Sequence, residues 1–154
     1  MPQIALPGAT IEYRESGPAD SAHPPVVFVH GALCAHDDWA PQLMHFARRH
    51  RVVAPDLRGL GQSDRPGDVE EYRLRRSVND LVAITGQLGI SSAHVVGHDF
   101  GAAVFRTQTR HSARIVDESH VPQAVASSAR RLAASTVGYE LMVILFLSCR
   151  LWRR

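Results

Sequence analysis

Five residues near the middle of the chain, Gly97-His98-Asp99-Phe100-Gly101, set one carboxylate between two glycines. The β-branched pair Val95-Val96 leads in and the small residues Ala102-Ala103 lead out. This order describes a buried strand, a very tight turn and a helix packed closely on a sheet, with Asp99 at the apex. A carboxylate is already ionised near neutral pH. The dipole and free N–H groups of a helix start favour that anion. Asp99 therefore needs no base to remove a proton, and can attack an electrophilic carbon to form a covalent ester. The plainer reading is an Asp that serves the turn or the helix start alone.

Three short apolar runs are available to position such a residue. Pro25-Val26-Val27-Phe28-Val29, Arg51–Pro55 and Ala93–Gly97 lack polar alternation, as strands covered on both faces do. Each ends in chemistry-bearing residues: His30-Gly31 after the first, Asp56 to Asp64 after the second, His98-Asp99 after the third. Between them, Asp38 is expected to cap a helix starting at Trp39, with Trp39, Leu43, Phe46 and Ala47 facing the sheet. Ser77 and Asp80 read as a capping box for a second helix, with Val78, Leu81, Val82, Thr85 and Leu88 on its buried face and Gly89 as its stop. Ile4–Leu6 and Ile11–Glu15, flanking Pro7-Gly8, read as an antiparallel start. Strands alternating with helices give an α/β fold with a mostly parallel, doubly wound sheet. Its ligand edge holds His30, Asp56 and Asp99.

Composition narrows the function classes. The chain has 154 residues, 45% hydrophobic, enough for one ordinary domain with a real core. It has no stretch near the ~20 apolar residues that span a bilayer, and no secretory leader is evident. Cys34 and Cys149 read as free thiols of a reducing compartment, hence a cytoplasmic location, with one disulfide between them as the alternative. No His/Cys spacing fits a zinc site, and Gly59-Leu60-Gly61 lacks the register of a phosphate loop. We therefore expect no metal and no cofactor. All 17 basic residues are Arg. They are uneven: residues 1–105 hold 9 Arg and 12 acids, residues 106–154 hold 8 Arg and 3 acids. A basic tail can seat on nucleic acid or a membrane; a small-molecule substrate, with neither of those partners, is the expectation preferred here.

The three motifs, in this order and each after a buried strand, resemble the N-terminal half of an α/β-hydrolase. Gly97-His98-Asp99-Phe100-Gly101 is the G-x-S-x-G elbow with Asp for Ser, and most resembles epoxide hydrolases and related dehalogenases. The resemblance implies Asp99 as nucleophile, and backbone N–H groups of Ala32 and Phe100 as the oxyanion hole. His30, Gly31, Gly97, His98 and Gly101 support that arrangement. A histidine oriented by an acid would then activate water against the ester. Some positions depart from the relatives. Leu33 stands where epoxide hydrolases often have Pro, and Phe100 where they commonly have Trp. Ala32 and Phe100 lack the side-chain N–H groups with which haloalkane dehalogenases hold halide. Phe100 also replaces the Arg of fluoroacetate dehalogenases. Epoxide hydrolysis leads; a dehalogenase, an esterase and an inactive fragment are the alternatives.

The other polar residues have structural readings. Asp56 to Asp64 reads as a solvated loop, with Arg58 a structural hydrogen-bond donor to neighbouring loops. His30 and His98 read as satisfied, partly buried histidines, and His36, His45, His50 and His94 as surface or helix-edge residues. Residues 1–105 match the family pattern and 106–154 diverge from it, as a truncated or frame-shifted reading would. His111-Ser112-Ala113-Arg114-Ile115-Val116 resembles the opening of the family's next strand, but neither His111, His120 nor Asp117 stands where a triad base or acid is expected. The catalytic His and second acid are thus expected to be missing. A sheet without its last strands should leave an open edge and a marginally stable protein.

Overall fold

A computed structural model describes residues 1–104 and 147–150. The strands are β1 (Gln3–Leu6), β2 (Ala9–Ser16), β3 (Val26–Val29), β4 (Val52–Pro55), β5 (Ser92–Gly97) and β6 (Leu147–Arg150). They form one sheet in the order β1-β2-β4-β3-β5-β6. β3 runs parallel to both β4 and β5. β1, β2 and β6 are antiparallel to their neighbours. Two α-helices, α1 (Ala40–Phe46) and α2 (Leu74–Gln87), connect the parallel strands. This is the expected α/β architecture, with β1–β2 as the antiparallel start.

The apolar runs are explained by where alternate residues go. Val26 and Phe28 of β3, Val52 and Ala54 of β4 and Val96 of β5 pack with Trp39, Leu43 and Phe46 from the α1 side. Val27 and Val29, Val53, and Ala93 and Val95 face the opposite layer, with Ile11, Tyr13, Leu81 and Ile84. Side chains still alternate along each strand. Both faces are covered, so no position needs to be polar. Phe28 meets Trp39 and Phe46 with ring centroids 5.1 and 5.7 Å apart, in tilted geometry.

Several local expectations are corrected. Asp38 does not cap α1: its carboxylate accepts the Ala35 N–H (2.9 Å) and closes a 3-10 turn over His36–Trp39 that precedes the helix. Pro41 sits in the first turn of α1, where a helix has no use for its missing N–H. α2 starts at Leu74, before Ser77. The capping box fails because Asp80 is buried and takes the Arg58 guanidinium instead, at 2.8 Å (Nε) and 2.7 Å (Nη2). The buried face of α2 is therefore Ser77, Asp80, Leu81, Ile84 and Thr85, and Val82 is exposed.

The far side of β5 also differs. Leu147–Arg150 pairs with it antiparallel, from Ser92↔Arg150 to Val95↔Leu147. An unpaired strand edge is a template for another strand, and here a segment distant in sequence fills it. The expected next strand at 111–116, with His111, Asp117 and His120, lies outside the described residues.

Candidate functional site

The parallel run β4-β3-β5 brings the three strand-end motifs to one edge. β3 ends into His30-Gly31, β4 into Asp56, and β5 into His98-Asp99. His98 N–H donates back to Val29 O (3.2 Å), which closes the end of β5 onto β3. Asp99 has φ +49°, a left-handed backbone that side-chain-bearing residues seldom adopt. The helix starts at Phe100, and Asp99 O accepts the N–H of Ala102 (3.0 Å) and Ala103 (3.2 Å). Asp99 is thus lifted out at the mouth of the turn, and its residue is exposed.

The glycines permit this closeness. A Cβ on Gly101 would lie 2.2 Å from Val29 O and 2.6 Å from His30 O. A Cβ on Gly97 would lie 2.8 Å from Ala102 N. Gly31 lies beneath the acid: a Cβ there would be 2.9 Å from His98 Nδ1 and 3.1 Å from Asp99 Oδ2.

Ala32 N–H donates to Asp99 Oδ2 at 2.9 Å. The backbone N–H of Ala32 first, and that of Phe100 second, hold the Asp99 carboxyl below the ordinary carboxylate range, with a smaller contribution from His98. The structure thus brings together Asp99, Ala32, Phe100, Gly31 and His98. Leu33, next in the loop, is 94% exposed and has φ +59°.

His30 is buried, 1% exposed, and both ring nitrogens are engaged. Nδ1 bonds to Gly31 O (2.8 Å) and Nε2 accepts Leu57 N–H (2.9 Å). That pattern needs the neutral Nδ1–H tautomer. Burial lowers its pKa, against the raising effects of Gly31 O and Asp56. His30 is the satisfied histidine expected, and more deeply buried than expected.

His36 is the clearest miss, because it is buried rather than at the surface. Its backbone N–H (2.6 Å) and Nδ1 (2.9 Å) both bond Asp56 Oδ1. Asp56 is wholly buried and also accepts Gln62 N–H on Oδ2 (2.8 Å). The loop after β4 is therefore not solvated at its base. Arg58 is structural, as expected, bonding Asp80, Glu71 (2.6 Å) and Pro7 O (3.0 Å). His94 is partly buried and His45 exposed. Among the described residues no cluster of His, Cys, Asp or Glu could hold a metal ion.

The profile of the α/β hydrolase fold family matches residues 24–141. The chain belongs to the α/β-hydrolase fold family. Within it the chain is epoxide-hydrolase-like. It is 38% identical over 100 residues to an epoxide hydrolase of Caballeronia sordidicola, covering 64% of this chain and 29% of that protein. The crystal structure of an epoxide hydrolase from Vigna radiata superposes with a TM-score of 0.66 and 31% identity, over 71% of this chain and 33% of that one. A protein named non-heme chloroperoxidase from Streptomyces lividans is 35% identical over 130 residues, 79% of this chain and 45% of that protein. This α/β-hydrolase thus spans less than half the length of these relatives. Among its described residues no helix is long and apolar enough to cross a membrane.

Proposed function

We propose that this α/β-hydrolase opens epoxides through Asp99, and that the described half of the fold supplies the attack and the oxyanion site. The observation that carries the proposal is the Ala32 N–H on Asp99 Oδ2. With Oδ2 held, Oδ1 attacks an epoxide carbon. The ring C–O bond breaks, its electron pair leaves on oxygen, and the alkoxide takes a proton from water. The product is an ester on Asp99. When water adds to the ester carbon, Oδ2 becomes the oxyanion, and Ala32 and Phe100 N–H are placed to receive it. An Asp nucleophile also favours alkylating over acylating substrates. Attack on an ester carbonyl would give an anhydride, uphill from the ester, whereas attack on a strained ring releases its strain. The similarity to epoxide hydrolases agrees with this reading.

The test is intact-mass analysis of the chain after incubation with a phenyl-substituted epoxide. The expected result is a single adduct, mapped to the peptide containing Asp99 and absent in Asp99→Asn. Cys34 is the control nucleophile, since it is only partly exposed and burial, with Asp38, pushes its thiol pKa up. An adduct that survives Asp99→Asn and vanishes in Cys34→Ala would refute the proposal. Accumulated diol in the same samples separates full turnover from an attack that stops at the ester.

A further inference from the structure

The residues that flank the Ala32 loop in sequence dock on two consecutive residues of another loop. His30, before the loop, accepts Leu57 N–H on Nε2. His36, after it, gives its backbone N–H and Nδ1–H to Asp56 Oδ1. Asp56 and Leu57 are consecutive, and all four residues are buried. Asp56 is fixed in turn: its N–H donates to Glu12 O (2.8 Å), its carbonyl accepts Ser63 Oγ–H (2.8 Å), and Oδ2 accepts Gln62 N–H. Between the two histidines the chain bonds elsewhere at Ala32 N–H, to Asp99, at Cys34 N–H, back to Gly31 O (3.4 Å), and at Ala35 N–H, forward to Asp38 Oδ2 (2.9 Å). The loop also carries a left-handed leucine with no packing to hold it. Leu33 makes no packing contact that would orient Ala32 N–H, whereas both ends of the loop are tied to the Asp56-Leu57 pair.

We propose that Asp56 and His36 are positioning residues for the oxyanion donor: the Asp56–His36 clamp fixes residues 31–36 so that Ala32 N–H meets Asp99 Oδ2. This rests on the reading of Asp99 as nucleophile for its kinetic consequence, but not for its geometric one. His36 Nε2 is 3.2 Å from Asp37 Oδ1, outside hydrogen-bond geometry, and Asp37 is on the exposed side. The clamp therefore acts through Nδ1.

That atom gives a test between two similar variants. The amide nitrogen of Asn sits where Nδ1 of His sits, and that of Gln sits nearer Nε2. His36→Asn is expected to keep ester formation within about two-fold of the parent, and His36→Gln to lower it about ten-fold or more, the scale of a misplaced reacting group. The second readout is the Asp99 carboxyl titration, followed by carbon-13 NMR of labelled aspartate in the full chain. It should stay low in His36→Asn and rise toward the ordinary carboxylate range in His36→Gln, as the Ala32 bond is lost. Equal behaviour of the two variants in both readouts overturns the clamp. If His36→Gln does not fold, the parent protein decides alone. Slow hydrogen exchange at the Ala32 and His36 amides supports the clamp, and fast exchange at both overturns it. Absence of both adduct and diol would sink the proposed reaction while leaving the titration and exchange results to judge the clamp.

Discussion

Gly101→Ala tests the packing that places Asp99. The added methyl would meet Val29 O at 2.2 Å, His30 O at 2.6 Å and Val29 C at 2.7 Å. All three are backbone atoms of β3 and its end, so no flexible side chain can swing aside. Relief requires the helix that starts at Phe100 to back away from the sheet. Overpacking costs about 1–3 kcal/mol, and a contact made wholly with backbone belongs at the upper end, ~3 kcal/mol. With a urea slope of about 1.5–2 kcal/mol/M for a chain of this size, the unfolding midpoint should fall by about 1.5–2 M. Gly86→Ala is the matched control. Gly86 lies inside α2 with nothing within 4 Å of a new Cβ. There the same substitution removes only the conformational cost of glycine and should stabilise by about 0.5–1 kcal/mol. Both are measured by urea titration of the full chain, followed by circular dichroism and tryptophan fluorescence. Opposite signs are required. A Gly101→Ala midpoint within experimental error of the parent would refute the close approach of helix and strand.

Three further outcomes follow from the same structure. Arg58→Met strands the buried Asp80 carboxylate and should cost about 3–5 kcal/mol in urea unfolding, most of it recovered in the double variant Arg58→Met/Asp80→Leu; equal losses in both would refute a role for the pair's charge. Burial holds His30 and His94 below 6.5, so the unfolded chain binds protons that the folded chain refuses. Stability should be full above about pH 6.5 and fall as pH drops below it, with part of the slope lost in His94→Gln; a flat profile between pH 8 and 5 would count against it. Leu33→Gly removes an exposed side chain from a left-handed backbone and should raise the thermal midpoint by the equivalent of about 0.5–1 kcal/mol; destabilisation would mean that Leu33 has packing the structure does not show.

Much of the fold is legible in sequence because covered parallel strands leave a local signature. Val26–Val29 reads as buried on both faces, and its residues alternate between two cores. The approach of strand to helix is legible in Gly97, Gly101 and the small residues after them, since only small residues fit. What is not legible depends on partners far along the chain. His36 looks like a surface histidine until Asp56, 20 residues later, folds against it. Asp80 looks like a cap because its position fits one, yet the Arg58 guanidinium is the stronger partner for a buried carboxylate. Asp38 serves Ala35 rather than α1 because the 3-10 turn comes first. The pairing of β6 with β5 joins segments too distant for any local pattern to announce. One signal was present for the clamp. A histidine directly after a buried strand, and a second six residues on, invite the question of what both could bind.

The strand order has a consequence for how the protein is made. β3 lies between β4 and β5, both of which come later in the chain. When Val26–Val29 leaves the ribosome it has neither neighbour. The last of them, β5, follows only after roughly 70 more residues, several seconds at ordinary rates of synthesis. During that interval four consecutive apolar residues, destined for the middle of the sheet, are open to any other nascent strand. Expression yield should therefore depend on translation speed across residues 30–97 and on chaperone supply more than on the stability of the finished protein.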